Sequence, residues 1–219
     1  MAFVRSGQAA ARVAQTRLRR LHGWPTIDTD ERSFDHRHVR CREVHDRRGA
    51  CRRGLASLDA DDDPMLARSV DSHGNVVEDP SVPDFAWLSR HSWAWDPARL
   101  DVLIRIAAPA TLYVCGGAAN ELELADRFTH VFLLEMDEPT MLARLDAPSR
   151  DNDEWGRIGD TREHLRRRLP GHQERLRAFG AIPIDARQPL DQVVDAILSH
   201  TLASSATSQA SKPSNPPAR

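Results

Sequence analysis

Residues 111–137, TLYVCGGAANELELADRFTHVFLLEMD, constrain the fold more than any other part of the chain. Two apolar runs, 112–115 and 131–134, flank Gly116–Gly117 and a short polar-to-helical segment, which is the spacing of a β-turn-α-β unit. Neither run alternates with polar residues, so each predicts a strand buried on both faces, as in a parallel sheet covered by helices. A Gly-Gly pair at the carboxyl end of such a strand lies where open α/β sheets bind ligands, and it lets a small molecule approach the backbone closely. A helix-entry turn that needs a glycine is the competing explanation.

The surrounding segments extend this pattern. Asp96-Pro97 reads as an N-cap with proline at the first helical position, and the helix after it carries Leu100, Leu103, Ile104 and Ala107 on one face. Trp87, Trp93 and Trp95 precede it and read as packing rather than a base-stacking platform. Glu138-Pro139 opens a further helix with Met141, Leu142 and Leu145 inward. Residues 146–162 are polar and carry Arg150, Arg157 and Arg162; a loop of that length predicts a lid, whose guanidinium groups suit phosphate. A helical run over 163–179 is expected to break at Pro170-Gly171, followed by a strand at 181–185 and a helix with Leu190, Val193, Val194, Ile197 and Leu198 on one face. From about residue 203 the Ser/Ala/Pro-rich remainder predicts a disordered tail.

At 219 residues and 40% hydrophobic content, the chain is long enough for one sizeable core, and a single domain over 1–202 is expected. A formal net charge of −2 favours neither nucleic acid nor an anionic membrane. No apolar run approaches the roughly 18 residues of a membrane span, and no signal-peptide pattern is present, so a soluble cytoplasmic protein is expected. Three cysteines at uneven spacing do not make a disulfide framework. Basic residues are almost all arginine, Lys212 being the only lysine. Oligomeric state is not legible.

Near the N-terminus, residues 9–21 predict a helix ending at Gly23, and a short strand then closes on Asp28-Thr29-Asp30. Carboxylates at alternate strand positions point the same way and suit holding Mg²⁺ through water or deprotonating a hydroxyl; alternatively Asp30 caps the next helix. Residues 33–67 are rich in Arg and His, then acidic, with little apolar periodicity, and predict an exposed insertion. His36, His38, Cys41, His45 and Cys51 are zinc-ligand types but lack the paired spacing of a structural zinc site; the arginines of the same stretch could touch a phosphate backbone, but no aromatic residue is interleaved to stack on bases, and a solvated charged face is the better reading.

From residue 25 to about 200 the sequence resembles the small-molecule kinase branch of P-loop NTPases, the group of shikimate, gluconate and adenylate kinases, including AAA-type ATPase-like bacterial relatives. The resemblance is carried by DTD at 28–30, VCGGAAN at 114–120, the arginines of the lid region and IDARQPLDQVV at 184–194. It implies a three-layer α/β/α domain with a mainly parallel sheet, binding ATP and Mg²⁺ and transferring the γ-phosphate to a small hydroxylated acceptor. It places Asp28 and Asp30 at the acceptor and the water shell of Mg²⁺, and Gly116, Gly117 and Asn120 in the acceptor pocket. Arg144 falls near the adenine, Arg150 and Arg157 at the phosphates, and Asp185, Arg187 and Pro189 beside the base. One departure outweighs these agreements. Such kinases open with a strand and GxxxxGK[ST], whose amides cradle the phosphates while Lys neutralises charge and Ser/Thr binds Mg²⁺. Here the stretch is MAFVRSGQAAARVAQTRL, with Gly7 as a remnant and no Gly-Lys. Either the reading frame upstream of about Arg17 is not the natural one, or the first strand and P-loop are degenerate and the protein is a non-catalytic pseudokinase or interaction module. The match begins abruptly near Arg19, which favours the first explanation.

Overall fold

The computed structural model describes residues 2–5, 56–147 and 155–210. In chain order the strands are β1 (Ala2–Arg5), β2 (Ala56–Asp59), β3 (Ala67–Val70), β4 (Ser92–Trp95), β5 (Leu112–Cys115), β6 (His130–Glu135) and β7 (Ile182–Asp185). The helices are α1 (Phe85–Leu88), α2 (Pro97–Ala107), α3 (Glu138–Leu145), α4 (Thr161–Phe179) and α5 (Leu190–Ala210). Five strands form one sheet in the order β2-β5-β1-β6-β7, while β3 and β4 pair separately as an antiparallel ribbon. β2 runs parallel to β5 and β6 parallel to β7, but β1 is antiparallel to both its neighbours. Four strands therefore share one direction and the central one opposes them.

Alternation along the strands builds the layers. Phe3 shares a face with Val114 and Val131, which pack under α2 through Leu100, Leu103 and Ile104, while Val131 and Leu133 of β6 also pack under α4 through Leu176. Val4 shares the opposite face with Tyr113, Phe132 and Ile184, which Val193 and Ile197 of α5 cover. Phe3, Val4, Val114 and Phe132 are all at 0% exposure, each burial favouring the fold by about 1.5–3 kcal/mol. Local chemistry starts the helices where expected: the Asp96 carboxylate accepts from Arg99 N at 2.7 Å ahead of Pro97, and that of Asp137 accepts from Thr140 N at 2.9 Å ahead of Glu138-Pro139.

Several expectations need correction. The first strand is present, at the centre of the sheet and reversed, so the runs at 112–115 and 131–134 are not neighbours. The segment between them holds turns and one 3₁₀ turn (Ala125–Arg127), with no α-helix. Residues 56–67, expected in an exposed insertion, supply an edge strand and the buried Ala60, Leu66 and Ala67. Their acidic run is taken up by specific partners: Asp61 accepts from the Trp93 indole at 2.8 Å, and Asp63 receives two bonds from the Arg99 guanidinium. α4 passes through Pro170 unbroken, because tertiary contacts hold it on both sides: Arg166 to Glu138 before the proline, and Gln173 to both backbone atoms of Met136 after it. α5 continues to Ala210, well into the expected tail. The helix at 9–21, the 28–30 strand, the insertion as far as 55 with its His and Cys residues, and 211–219 lie outside the described residues.

Candidate functional site

The carboxyl ends of β2, β5, β6 and β7 lie along one edge of the sheet and finish in Asp59, Cys115, Glu135 and Asp185. Two groups of side chains stand there, one beyond β5 and one beyond β7. β1 and β6 separate them, which at the usual strand spacing is about 14 Å.

Beyond β5 the chain turns at Gly116, whose φ of +134° is a conformation L side chains rarely adopt. A Cβ there would stand 3.1 Å from the Ala60 Cβ and 3.5 Å from Trp95 Cζ2, and one on Gly117 would stand 3.5 Å from Glu121 Oε2. The pair thus allows close packing of the strand ends. Asn120 clamps the last residue of β4: its Oδ1 accepts from Trp95 N at 3.0 Å, and its Nδ2 donates to Trp95 O at 2.9 Å. Trp95 is 1% exposed, packs edge-on against Phe3, and has an indole N–H with no partner. Leaving a buried donor unpaired costs about 1–3 kcal/mol.

Glu121, fully buried, accepts from Ala118 N at 3.0 Å and from Arg175 Nη2 at 2.6 Å, with His172 Nδ1 at 3.6 Å. Burial raises its pKa, against the pull of the Ala118 amide and Arg175. Burial also holds the His172 imidazole down to about 4, Arg175 adding to the effect, so near neutral pH it stands uncharged beside the carboxylate.

Beyond β7, the Asp185 carboxylate accepts from Arg187 Nε at 2.8 Å and Nη2 at 3.1 Å, and from Gln188 at 3.2 Å. The Arg187 side chain is the main cause that lowers the Asp185 pKa. Arg187 also lies 4.0 Å from Asp137, so its charge is shared between two carboxylates. Arg144 reaches the same turn, donating to the Ala186 carbonyl, and the Pro189 carbonyl accepts from Gln192 N and Val193 N at the start of α5. Arg157 donates to Leu145 O at 2.6 Å and Ala147 O at 2.9 Å, closing the carboxyl end of α3.

The residues expected at the site thus form two sets, Gly116, Gly117 and Asn120 in one, Arg144, Asp185, Arg187 and Pro189 in the other. Arg157 serves the backbone beside the second. Asp28, Asp30 and Arg150 lie outside the described residues. Among the described residues no group of three or more His, Cys, Asp or Glu side chains is placed to hold a metal ion. The sequence reading missed Trp95 as a polar group, Glu121 as a buried acid and Asp59, which is 2% exposed. Only Asp59 had a signal, its position directly after the apolar Leu58. No family model matches the chain, and neither a curated protein nor a solved structure is significantly similar to it.

Proposed function

We propose that the chain, as its sequence stands, is a small-molecule-binding protein built like a P-loop kinase but without phosphate transfer. It takes a hydroxylated ligand beside Gly116–Gly117 and, weakly, a nucleotide base beside the 185–189 turn. The single observation behind this reading is the direction of β1. Arg5 lies opposite Leu112, at the amino ends of the codirectional strands, so the carboxyl end of β1 points to the edge away from both groups of side chains. Ala2, not the carboxyl end, stands between those groups, opposite Cys115 and Phe132. A strand-loop-helix phosphate cradle needs the loop at the ligand edge. The described residues therefore do not fit an ATP·Mg²⁺ phosphate site, and no transfer step is assigned to them.

Calorimetric titration with ATP and Mg²⁺, with product detection over a panel of polyols, tests the reading. Binding in the high micromolar range or weaker and no transfer are expected, since each charge-assisted bond that a P-loop would supply to phosphate is worth about 1.5–3 kcal/mol. Tight binding with turnover sinks the proposal. One observation favours the kinase reading instead: the slot that β1 fills lies centrally between β5 and β6, where a strand of the opposite sense would deliver its loop to the ligand edge.

A further inference from the structure

We infer that the Trp95 indole N–H is a ligand-binding group, donating to a hydroxyl or carbonyl oxygen of a neutral small molecule held beside Gly116. The inference rests on the ligand-binding reading above and adds the residue and the chemical group that it recognises.

Three observations converge on it. Among the described residues, Trp95 Nε1 is the buried side-chain nitrogen or oxygen left with no hydrogen-bond partner, and the residue is 1% exposed. Native interiors pair almost all such groups, and an exception points to a function or a bound partner. The donor is also close to the right place. A Cβ on Gly116 would stand 3.5 Å from Trp95 Cζ2, and Nε1 is two bonds from that atom through Cε2. Finally, the orientation is fixed by other contacts. Asn120 fixes the backbone of Trp95 through its N–H and carbonyl, and the ring, 1% exposed, packs edge-on against Phe3 with centroids 5.1 Å apart, so it cannot turn to find a partner without losing that packing.

Trp93, two residues before Trp95 in β4 and on the same side of the strand, donates its own indole N–H to Asp61 at 2.8 Å. One indole is satisfied by the chain, and its neighbour is not. The surroundings also select the ligand's charge. Asp59 and Asp61 lie on the strand end and turn beside Gly116, so a carboxylate or phosphate is repelled, whereas a hydroxyl or carbonyl oxygen can accept from the indole.

The test uses the full chain labelled with ¹⁵N-tryptophan, whose five tryptophans give five indole signals. The Trp95 signal is assigned by its loss in Trp95→Phe or, should that variant fail to fold, by its contact with the Phe3 ring protons. The chain is titrated with myo-inositol, uridine and sodium acetate. We expect a saturable downfield shift of the Trp95 indole proton with inositol or uridine and none with acetate, together with about tenfold weaker binding to Trp95→Phe by calorimetry. A probe that binds without moving that signal, or with unchanged affinity in the variant, overturns the inference and leaves the ligand-binding reading standing. If the N–H contacts only a water that none of the probes displaces, the inference fails in the same way. Absence of binding by all three overturns both.

Discussion

Arg175 and His172 meet the Glu121 carboxylate at one point where charge, burial and hydrogen bonding are coupled. Removing Arg175 leaves a fully buried carboxylate facing the Ala118 amide at 3.0 Å and the uncharged His172 imidazole at 3.6 Å. The loss expected for Arg175→Ala is about 2 kcal/mol, below the 3–5 of a fully buried pair because the Arg175 side chain is 42% exposed. In a Glu121→Gln background the same substitution should cost much less, and urea unfolding of the double-mutant cycle measures the difference. Equal costs in both backgrounds would show that Arg175 acts through packing. His172 adds a pH dependence whose sign is fixed. Its folded pKa of about 4 lies below the unfolded value of 6.5, so as pH falls the unfolded chain takes up the proton first and stability is lost between those values. Glu121 acts oppositely: its raised folded pKa means that stability is gained as pH falls through that value. His172→Gln isolates the first effect, and the variant should lose less stability than the parent between pH 7 and 4.5.

Helix α4 carries the clearest consequence at the scale of an element. Gly171 sits in mid-helix with nothing within 4 Å of where a Cβ would stand, so Gly171→Ala should stabilise the protein by about 0.5–1 kcal/mol in thermal or urea unfolding. At Gly159, just ahead of α4, the expectation reverses. Its φ is +51° and a Cβ would fall 2.3 Å from the Pro83 carbonyl oxygen, backbone that cannot swing aside. Gly159→Ala should cost about 2 kcal/mol or more and raise hydrogen exchange first in α1, whose Phe85 N–H is held by Asp160 at 2.9 Å. Unchanged α1 protection would show that the two elements are not coupled. The sequence made some elements plain and hid others for physical reasons. Strand β5 and the start of α2 were legible because a run of apolar residues and an Asp-Pro cap act over a few residues. The fold of 56–67 was not, because Asp61 and Asp63 find their partners 32 and 36 residues away. The candidate site was legible in part for the same reason: Gly116–Gly117 announced a turn, but the unpaired Trp95 donor arises only where β4, β5 and the 3₁₀ turn Ala60–Asp62 after β2 converge.

For the whole molecule, the sheet has a central slot that accepts a short apolar strand in either sense. Ala2, Phe3 and Val4 carry no directional information, since their alternation buries Phe3 on one face and its neighbours on the other whichever way the strand runs. The reversed sense is held at the strand's carboxyl end, where Thr129 donates from N and Oγ1 to Val4 O at 2.7 Å and Arg5 Nη1 donates to Arg127 O at 3.1 Å, and MAFVRSGQAAARVAQTRL carries no GxxxxGK that would reward the other sense. A strand followed by GxxxxGKST has a different balance. Run parallel to β5 and β6, it would bring its loop between the Gly116 and Asp185 groups, where the amides, Lys and Ser/Thr together could engage phosphate. Replacing residues 1–17 by such a unit should therefore raise ATP affinity by at least one to two decades, at about 1.5–3 kcal/mol per charge-assisted bond, and give measurable transfer to a hydroxylated acceptor. In that background Asp28→Ala should remove turnover while leaving ATP binding nearly intact, if Asp28 activates the acceptor hydroxyl. Calorimetry and product detection on the parent, the replacement and the double change read all three outcomes. A folded replacement that binds ATP no better than the parent would mean that the remaining edge, with Arg187 committed to Asp185 and Asp137, does not complete a nucleotide site.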